Sequence, residues 1–215
     1  MQLQGSRFQV KRDPLYVADG TIAAGGAAQL VLPQLQTRSF LKLQNLSTGP
    51  LYFENGSARA TCGLTNGAVS SIIVANPGFN FTNPPLVIFY GGGNAGNSAY
   101  LGLGQPGAEG PNSSLTAGRP AKAHCVMASA TPLPGLKVSS IVIDDPGAGY
   151  VIAPFVFIVN SDLDPYGCAV PSATSGMLLA ASSPPYVLNG TSCHTDPLSV
   201  YGATTGQAFL CRWMT

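Results

Sequence analysis

Two stretches of the chain carry the same alternation of apolar and polar positions. Val69-Ser70-Ser71-Ile72-Ile73-Val74-Ala75-Asn76-Pro77-Gly78 returns as Val138-Ser139-Ser140-Ile141-Val142-Ile143-Asp144-Asp145-Pro146-Gly147. The match continues without a gap through Phe81/Tyr150, Pro85/Pro154 and Val87/Val156 to Tyr90/Val159, and eight of the 22 aligned positions are identical. Val-Ser-Ser-Ile-x-Val places every second apolar side chain on one face, the mark of a strand. Pro-Gly then supplies a fixed φ followed by a residue free to take positive φ. Pro85 or Pro154 opens a second strand, where a missing amide donor is tolerated. Copies 69–90 and 138–159 therefore predict strand, corner, strand twice over. That is a modular β scaffold rather than an enzyme core.

The two ends share another style. Gln29-Leu30-Val31-Leu32 and Ser39-Phe40-Leu41-Lys42-Leu43-Gln44-Asn45-Leu46 predict strands, the second with Leu41, Leu43 and Asn45 on one face. Ser47-Thr48-Gly49-Pro50 predicts a turn and Leu51-Tyr52-Phe53-Glu54 a returning strand, together a hairpin. At the other end Leu198-Ser199-Val200-Tyr201 and Gln207-Ala208-Phe209-Leu210-Cys211-Arg212-Trp213 flank a turn at Gly202 to Gly206. Phe209, Cys211 and Trp213 share the face expected to be buried. No stretch of a dozen residues keeps a helical period free of Gly or Pro, so the predicted fold is all-β. The simplest assembly joins residues 1–62 and 186–215 into a β-sandwich or barrel-like base. Residues 63–185 then form an inserted β-repeat domain.

With 215 residues the chain is long enough for a sizeable core, and 45% of it is hydrophobic. Its 26 glycines and 18 prolines suit short strands joined by tight turns rather than disorder. Only 9% of residues are charged, well below the ~25% of ordinary soluble domains. Either Ser, Thr, Asn and Gln cover the surface, or much of it is buried against other chains, as in obligate interfaces. The second is the sharper expectation, with neutral and apolar contacts to at least two neighbouring chains.

A net charge of +1 argues against a nucleic-acid binder, which needs a basic stripe. Arg7, Lys11 and Arg12 cluster ahead of Asp13 and form either a frayed terminus or an arm reaching a neighbouring subunit. The first residues lack the apolar run of a signal peptide, and the apolar stretch at Tyr150 to Val159 is too short to cross a bilayer. The expectation is a soluble chain made in the cytoplasm. There, Cys62, Cys125, Cys168, Cys193 and Cys211 are reduced and mostly buried thiols. An intermolecular disulfide would need later release into an oxidising medium. The N-x-S/T triplets at Asn45, Asn55, Asn80, Asn112 and Asn189 are then turn and strand polar residues rather than glycan acceptors.

Candidate chemistry is sparse. His124-Cys125 and Cys193-His194, brought together, hold the right atoms for zinc. Adjacent ligands strain a tetrahedron, however, and a Cys-His nucleophile would lack its orienting third group. Asn160-Ser161-Asp162-Leu163-Asp164 alternates oxygen side chains as calcium loops do, but Pro165 and Pro171 stand where such a loop needs Gly and Glu. Asp144-Asp145 sits before a Pro-Gly corner and reads as turn chemistry. Gly91-Gly92-Gly93-Asn94 precedes no helix and no Lys-Ser/Thr, so it is a bend rather than a phosphate loop. Ser39-Phe40-Leu41-Lys42 fits S-x-x-K by spelling only. Phe79, Phe81, Tyr90 and Tyr150 would serve equally as a sugar-stacking platform or as core and interface packing. No metal, cofactor or catalytic residue is expected.

The segment from Phe40 to Phe53 (Phe40-Leu41-Lys42-Leu43-Gln44-Asn45-Leu46-Ser47-Thr48-Gly49-Pro50-Leu51-Tyr52-Phe53) resembles the "LxIQNLSxxxLYV" hairpin of small tailed-bacteriophage virion proteins. Asp196 to Phe209 resembles their closing "D-x-I-S-V-x-x-x-T-x-G-Q-x-F" hairpin. The repeats resemble "V-x-S-I-x-V-x-N-x-G-x-G-Y-x-x-x-P-x-V" units of phage head and tail proteins; Gly149-Tyr150 keeps the Gly-Tyr, and Asn80-Phe81 departs from it. The likeness covers about two-thirds of the chain and implies no active site. It implies a non-enzymatic virion protein, foremost a capsid decoration or cement protein on the head exterior. Its partners would be the major capsid protein and other copies of itself, with no specific nucleic acid and no membrane. The alternative is a tail, fibre or baseplate protein that binds a glycan or receptor.

Overall fold

The computed structural model of the chain describes residues 15–34, 37–92, 119–160, 164–190 and 195–215. Among them every regular element is a strand, and the all-β expectation holds. Two sheets face each other in a sandwich. One is built from β1 (Tyr16–Val17), β2 (Gly20–Thr21), β4 (Phe40–Asn45), β13 (Tyr186–Asn189) and β15 (Ala208–Met214), in the order β1-β15-β4-β13 with β2 also on β15. The other holds β3 (Ala28–Leu32), β5 (Leu51–Asn55), β12 (Met177–Leu179) and β14 (Leu198–Gly202), in the order β12-β5-β14-β3. Ile22, Leu41, Leu43, Leu51, Phe53, Val200, Phe209 and Cys211 are buried in one core between them.

Neither terminal hairpin pairs with itself. β4 pairs with β15 and β13, whereas β5 pairs with β14 and β12. Ser47 to Pro50 is thus an arch from one sheet to the other, and Gly202 to Gly206 is a second. The cause is burial. Leu41 and Leu43 must face Leu51 and Phe53 across the core, which a flat hairpin would not allow. Asn45 holds the first arch: its Oδ1 accepts the Ser47 amide at 2.9 Å, and its Nδ2 donates to the carbonyls of Gly49 and Leu179, both at 2.8 Å. Gln207 ties the second arch to the first, donating to Pro50 O at 3.2 Å while accepting the Thr204 amide at 3.0 Å.

The third sheet contains both repeats. Its strands are β6 (Arg59–Thr65), β7 (Ala68–Asn76), β8 (Leu86–Tyr90), β9 (Lys122–Ser129), β10 (Leu136–Asp145) and β11 (Phe155–Val159), in the order β10-β9-β8-β11-β6-β7. A boundary at residue 62 falls inside β6, and β12, placed by sequence with the insertion, pairs with β5 of the sandwich.

The repeats are intertwined rather than side by side. In each copy the long strand pairs with the strand before it, and the short strand crosses to the other copy. β8 and β11 lie antiparallel with Ile88 opposite Phe157, residues that occupy the same repeat position. The other contacts come in matched pairs. Val69 N donates to Pro146 O and Val138 N to Pro77 O, both at 2.9 Å. Tyr150 N donates to Gly67 O at 3.0 Å and Phe81 N to Leu136 O at 3.1 Å. At the corners, the Gly78 amide donates to Asn76 Oδ1 at 3.0 Å and the Gly147 amide to Asp145 Oδ1 at 2.9 Å. The two glycines have φ of 64° and 67°. A local twofold therefore passes through the Ile88–Phe157 pair, and the outer strands β7 and β10 meet to make a nearly closed barrel. Val69, Phe81, Phe89, Val138, Val156 and Ile158 fill its interior.

Candidate interaction surface

Along β8 and β11 every second side chain points into the barrel: Phe89, Val156 and Ile158 are buried there. The positions between them point outward. A barrel with one face in water carries polar residues there. This one presents Leu86, Ile88 and Tyr90 from β8 beside Phe155, Phe157 and Val159 from β11. They stand in register as Leu86 opposite Val159, Ile88 opposite Phe157 and Tyr90 opposite Phe155. Phe155 is 66% exposed, Leu86 60% and Phe157 49%. The Phe157 ring meets the Tyr90 ring edge-on at 6.1 Å and lies 6.4 Å from Phe155. The result is an uncharged ladder two strands wide, centred on the local twofold.

Its rim is polar, and on β9 it includes the exposed Lys122. Arg59, opposite Phe157 on β6, donates to Glu54 Oε1 at 2.7 Å. His124, opposite Leu86 on β9, lies 2.8 Å from Asp144. Glu54 is almost wholly buried while Arg59 is half exposed, so the pair also clamps β5 of the sandwich to β6 of the barrel.

The residues singled out by sequence fall elsewhere. Arg7, Lys11 and Arg12 lie outside the described residues, as do Cys193 and His194. His124 is on the barrel exterior and Cys125 in its core, because consecutive strand residues face opposite ways. Among the described residues no three His, Cys, Asp or Glu side chains gather at metal distance. Asn160 is committed at both ends, accepting from Ser57 Oγ at 2.8 Å and donating to Gly167 O at 2.6 Å. Asp164 Oδ2 accepts the amides of Thr82 and Asn83 at 2.7 and 2.8 Å. Asp145 accepts Arg119 at 2.7 Å beside its turn bond to Gly147. The four-ring sugar platform does not form. Phe79 and Phe81 are core residues, the Tyr150 hydroxyl accepts the Ala121 amide at 2.7 Å, and only Tyr90 joins the exposed ladder.

Burial governs the thiols. It pushes Cys125 up to about 11 and Cys211 up to about 12 from an ordinary value of 9.0, and raises Cys168 and Cys62 as well. The reactive thiolate is therefore scarce at neutral pH. An aromatic disulfide reagent should leave Cys125, Cys168 and Cys211 unmodified in the folded protein and titrate them on unfolding. The same shifts set an alkaline limit. The folded state holds these protons more tightly than the unfolded chain, so the stability they give is complete below pH 9 and is lost between about 9 and 12. Denaturant midpoints measured across that range should fall with rising pH. A flat profile would show that the thiols are not buried as described.

Comparison of the chain with protein-family models, curated proteins and solved structures gives no match.

Proposed function

We propose that this chain is a non-enzymatic structural protein of a tailed-bacteriophage particle, acting as a decoration or cement protein on the capsid exterior. The observation that carries the proposal is the apolar ladder of β8 and β11, a rigid uncharged face suited to covering by another protein. The resemblance of the Phe40–Phe53 and Asp196–Phe209 segments to virion proteins supplies the setting. In this view the sandwich straddles neighbouring subunits of the major capsid protein, and the barrel projects from it or meets an adjacent copy. Stabilisation comes from area buried between chains, multiplied over many symmetric positions. A stable contact needs ~800 Å² per partner.

Binding to purified shells lacking the protein tests this directly. The full chain should saturate the shells and raise their unfolding temperature. A chain shortened by residues 1–12 should dock more weakly yet melt unchanged by itself, as an arm carrying Arg7, Lys11 and Arg12 requires. Equal docking by both forms would remove the arm, and no docking by either would remove the capsid assignment. A tail, fibre or baseplate protein is the second proposal, favoured by one observation: the Tyr90, Phe155 and Phe157 rings lie exposed and adjacent, as in surfaces that stack on sugars. Saturable binding of host surface glycan that is lost in Tyr90→Ala would select it.

A further inference from the structure

We infer that the occupant of the β8–β11 face is the same face of a second copy of this chain. The inference gives the homo-oligomer part of the proposal above a surface, and purified protein without any phage shell is enough to test it.

Covering is indicated first by the strands themselves. Leu86-Val87-Ile88-Phe89-Tyr90 and Phe155-Val156-Phe157-Ile158-Val159 are unbroken apolar runs. Runs of this kind belong to strands buried on both faces, and the barrel interior buries only one. Size agrees. Six large apolar side chains, each about half exposed, offer on the order of 500 Å². Exposed Val126 on β9 and Thr61 on β6 extend the footprint outward, toward the ~800 Å² per partner of a stable contact.

Charge and symmetry select the occupant. A face that meets its own copy sets like against like, so any charge on it would be repelled. The ladder has none; charge is confined to its rim, where Arg59 is matched by Glu54 and Lys122 stands exposed on β9. The local twofold through Ile88 and Phe157 gives the face equivalent halves, and the partner certain to share that symmetry is the chain itself. A dimer axis lying along the strands sets Ile88 of each copy against Phe157 of the other and Tyr90 against Phe155. Large rings then meet across a sheet-on-sheet gap of ~10 Å, the ordinary spacing of packed sheets. Each contact occurs twice.

Sedimentation equilibrium or light scattering of the full chain should give twice the 22.0 kDa mass. Phe157→Glu should weaken self-association by ~100-fold or more, as expected when a charge is forced into the centre of an apolar contact. Its far-UV spectrum should stay unchanged, because the side chain is outside the barrel, and its unfolding midpoint should fall only to the value that the wild-type chain reaches on dilution. Ile88→Lys should behave likewise, and an equimolar mixture of the two variants should recover the dimer mass through the Lys–Glu contact. A wild-type chain that stays monomeric at every soluble concentration would overturn the inference. So would a folded Phe157→Glu that still dimerises, or variants that are each monomeric and do not combine. A monomer that still docks on shells defeats this inference alone, whereas a dimer that docks on no shell defeats the capsid assignment alone.

Discussion

Valine in place of Gly147 should destabilise the protein by ~4 kcal/mol or more, the range reached only when several mechanisms coincide. Gly147 sits at the second repeat corner with φ of 67°, a region that β-branched residues scarcely enter. A Cβ there would lie 2.5 Å from Arg119 O and 2.7 Å from Ala121 N, both backbone atoms, and 2.9 Å from the Tyr150 ring. None of these can swing aside as a flexible side chain would. Moving them would break the reciprocal bonds between Arg119 and Ala148, and the bond from Val69 N to Pro146 O that helps close the barrel. Gly26 provides the control. Its φ is 80°, but nothing lies within 4 Å of where a Cβ would stand, so Gly26→Ala carries only the conformational cost of about 1 kcal/mol. Urea unfolding of both variants separates these effects. Equal losses would mean that the corner is not the tight junction described.

What the sequence revealed and what it concealed follow from how local each cause is. The Pro-Gly corners were legible because a proline φ and a glycine free to take positive φ are demands of single residues. The two corner glycines take matching positive φ in both copies. The buried face of β4 was legible for a similar reason, since Leu41, Leu43 and Asn45 alternate with Phe40, Lys42 and Gln44 and are buried in that order. The terminal hairpins were misread because turn residues mark where a chain reverses and not which sheet it joins. Only the need to bury Leu43 against the opposing sheet turns Ser47–Pro50 into an arch. The intertwining of the repeats was hidden for the same reason. β8 finds its neighbours in β9 and β11, and spacing along the chain carries no trace of that choice. The interaction face did leave a signal: the unbroken apolar runs 86–90 and 155–159, which alternation-based reasoning passes over.

Replacing Phe79 by alanine should cost about 3–5 kcal/mol, as buried Phe→Ala changes do, and should also divide the unfolding of the protein in two. Sandwich and barrel have separate cores, and Phe79 belongs to neither. It is fully buried in a third cluster with Ala28, Ala130 and Cys168, with Leu30 and Val170 packed against it. Ala28 and Leu30 come from sandwich strand β3, whereas Ala130 follows barrel strand β9. Phe79 itself leads out of the first repeat corner and exchanges backbone bonds with Cys168 at 2.8 and 3.0 Å. One ring thus joins the two units. Cooperativity between such units lasts only while their interface is worth more than their difference in stability. Trp213, the single tryptophan, lies on β15 and reports on the sandwich alone. Far-UV dichroism reports on both units. In the wild-type chain the two signals should share one denaturation midpoint, and in Phe79→Ala they should separate. Coincident midpoints in the variant would mean that sandwich and barrel are held together elsewhere, with the Glu54–Arg59 clamp between β5 and β6 next to be tested.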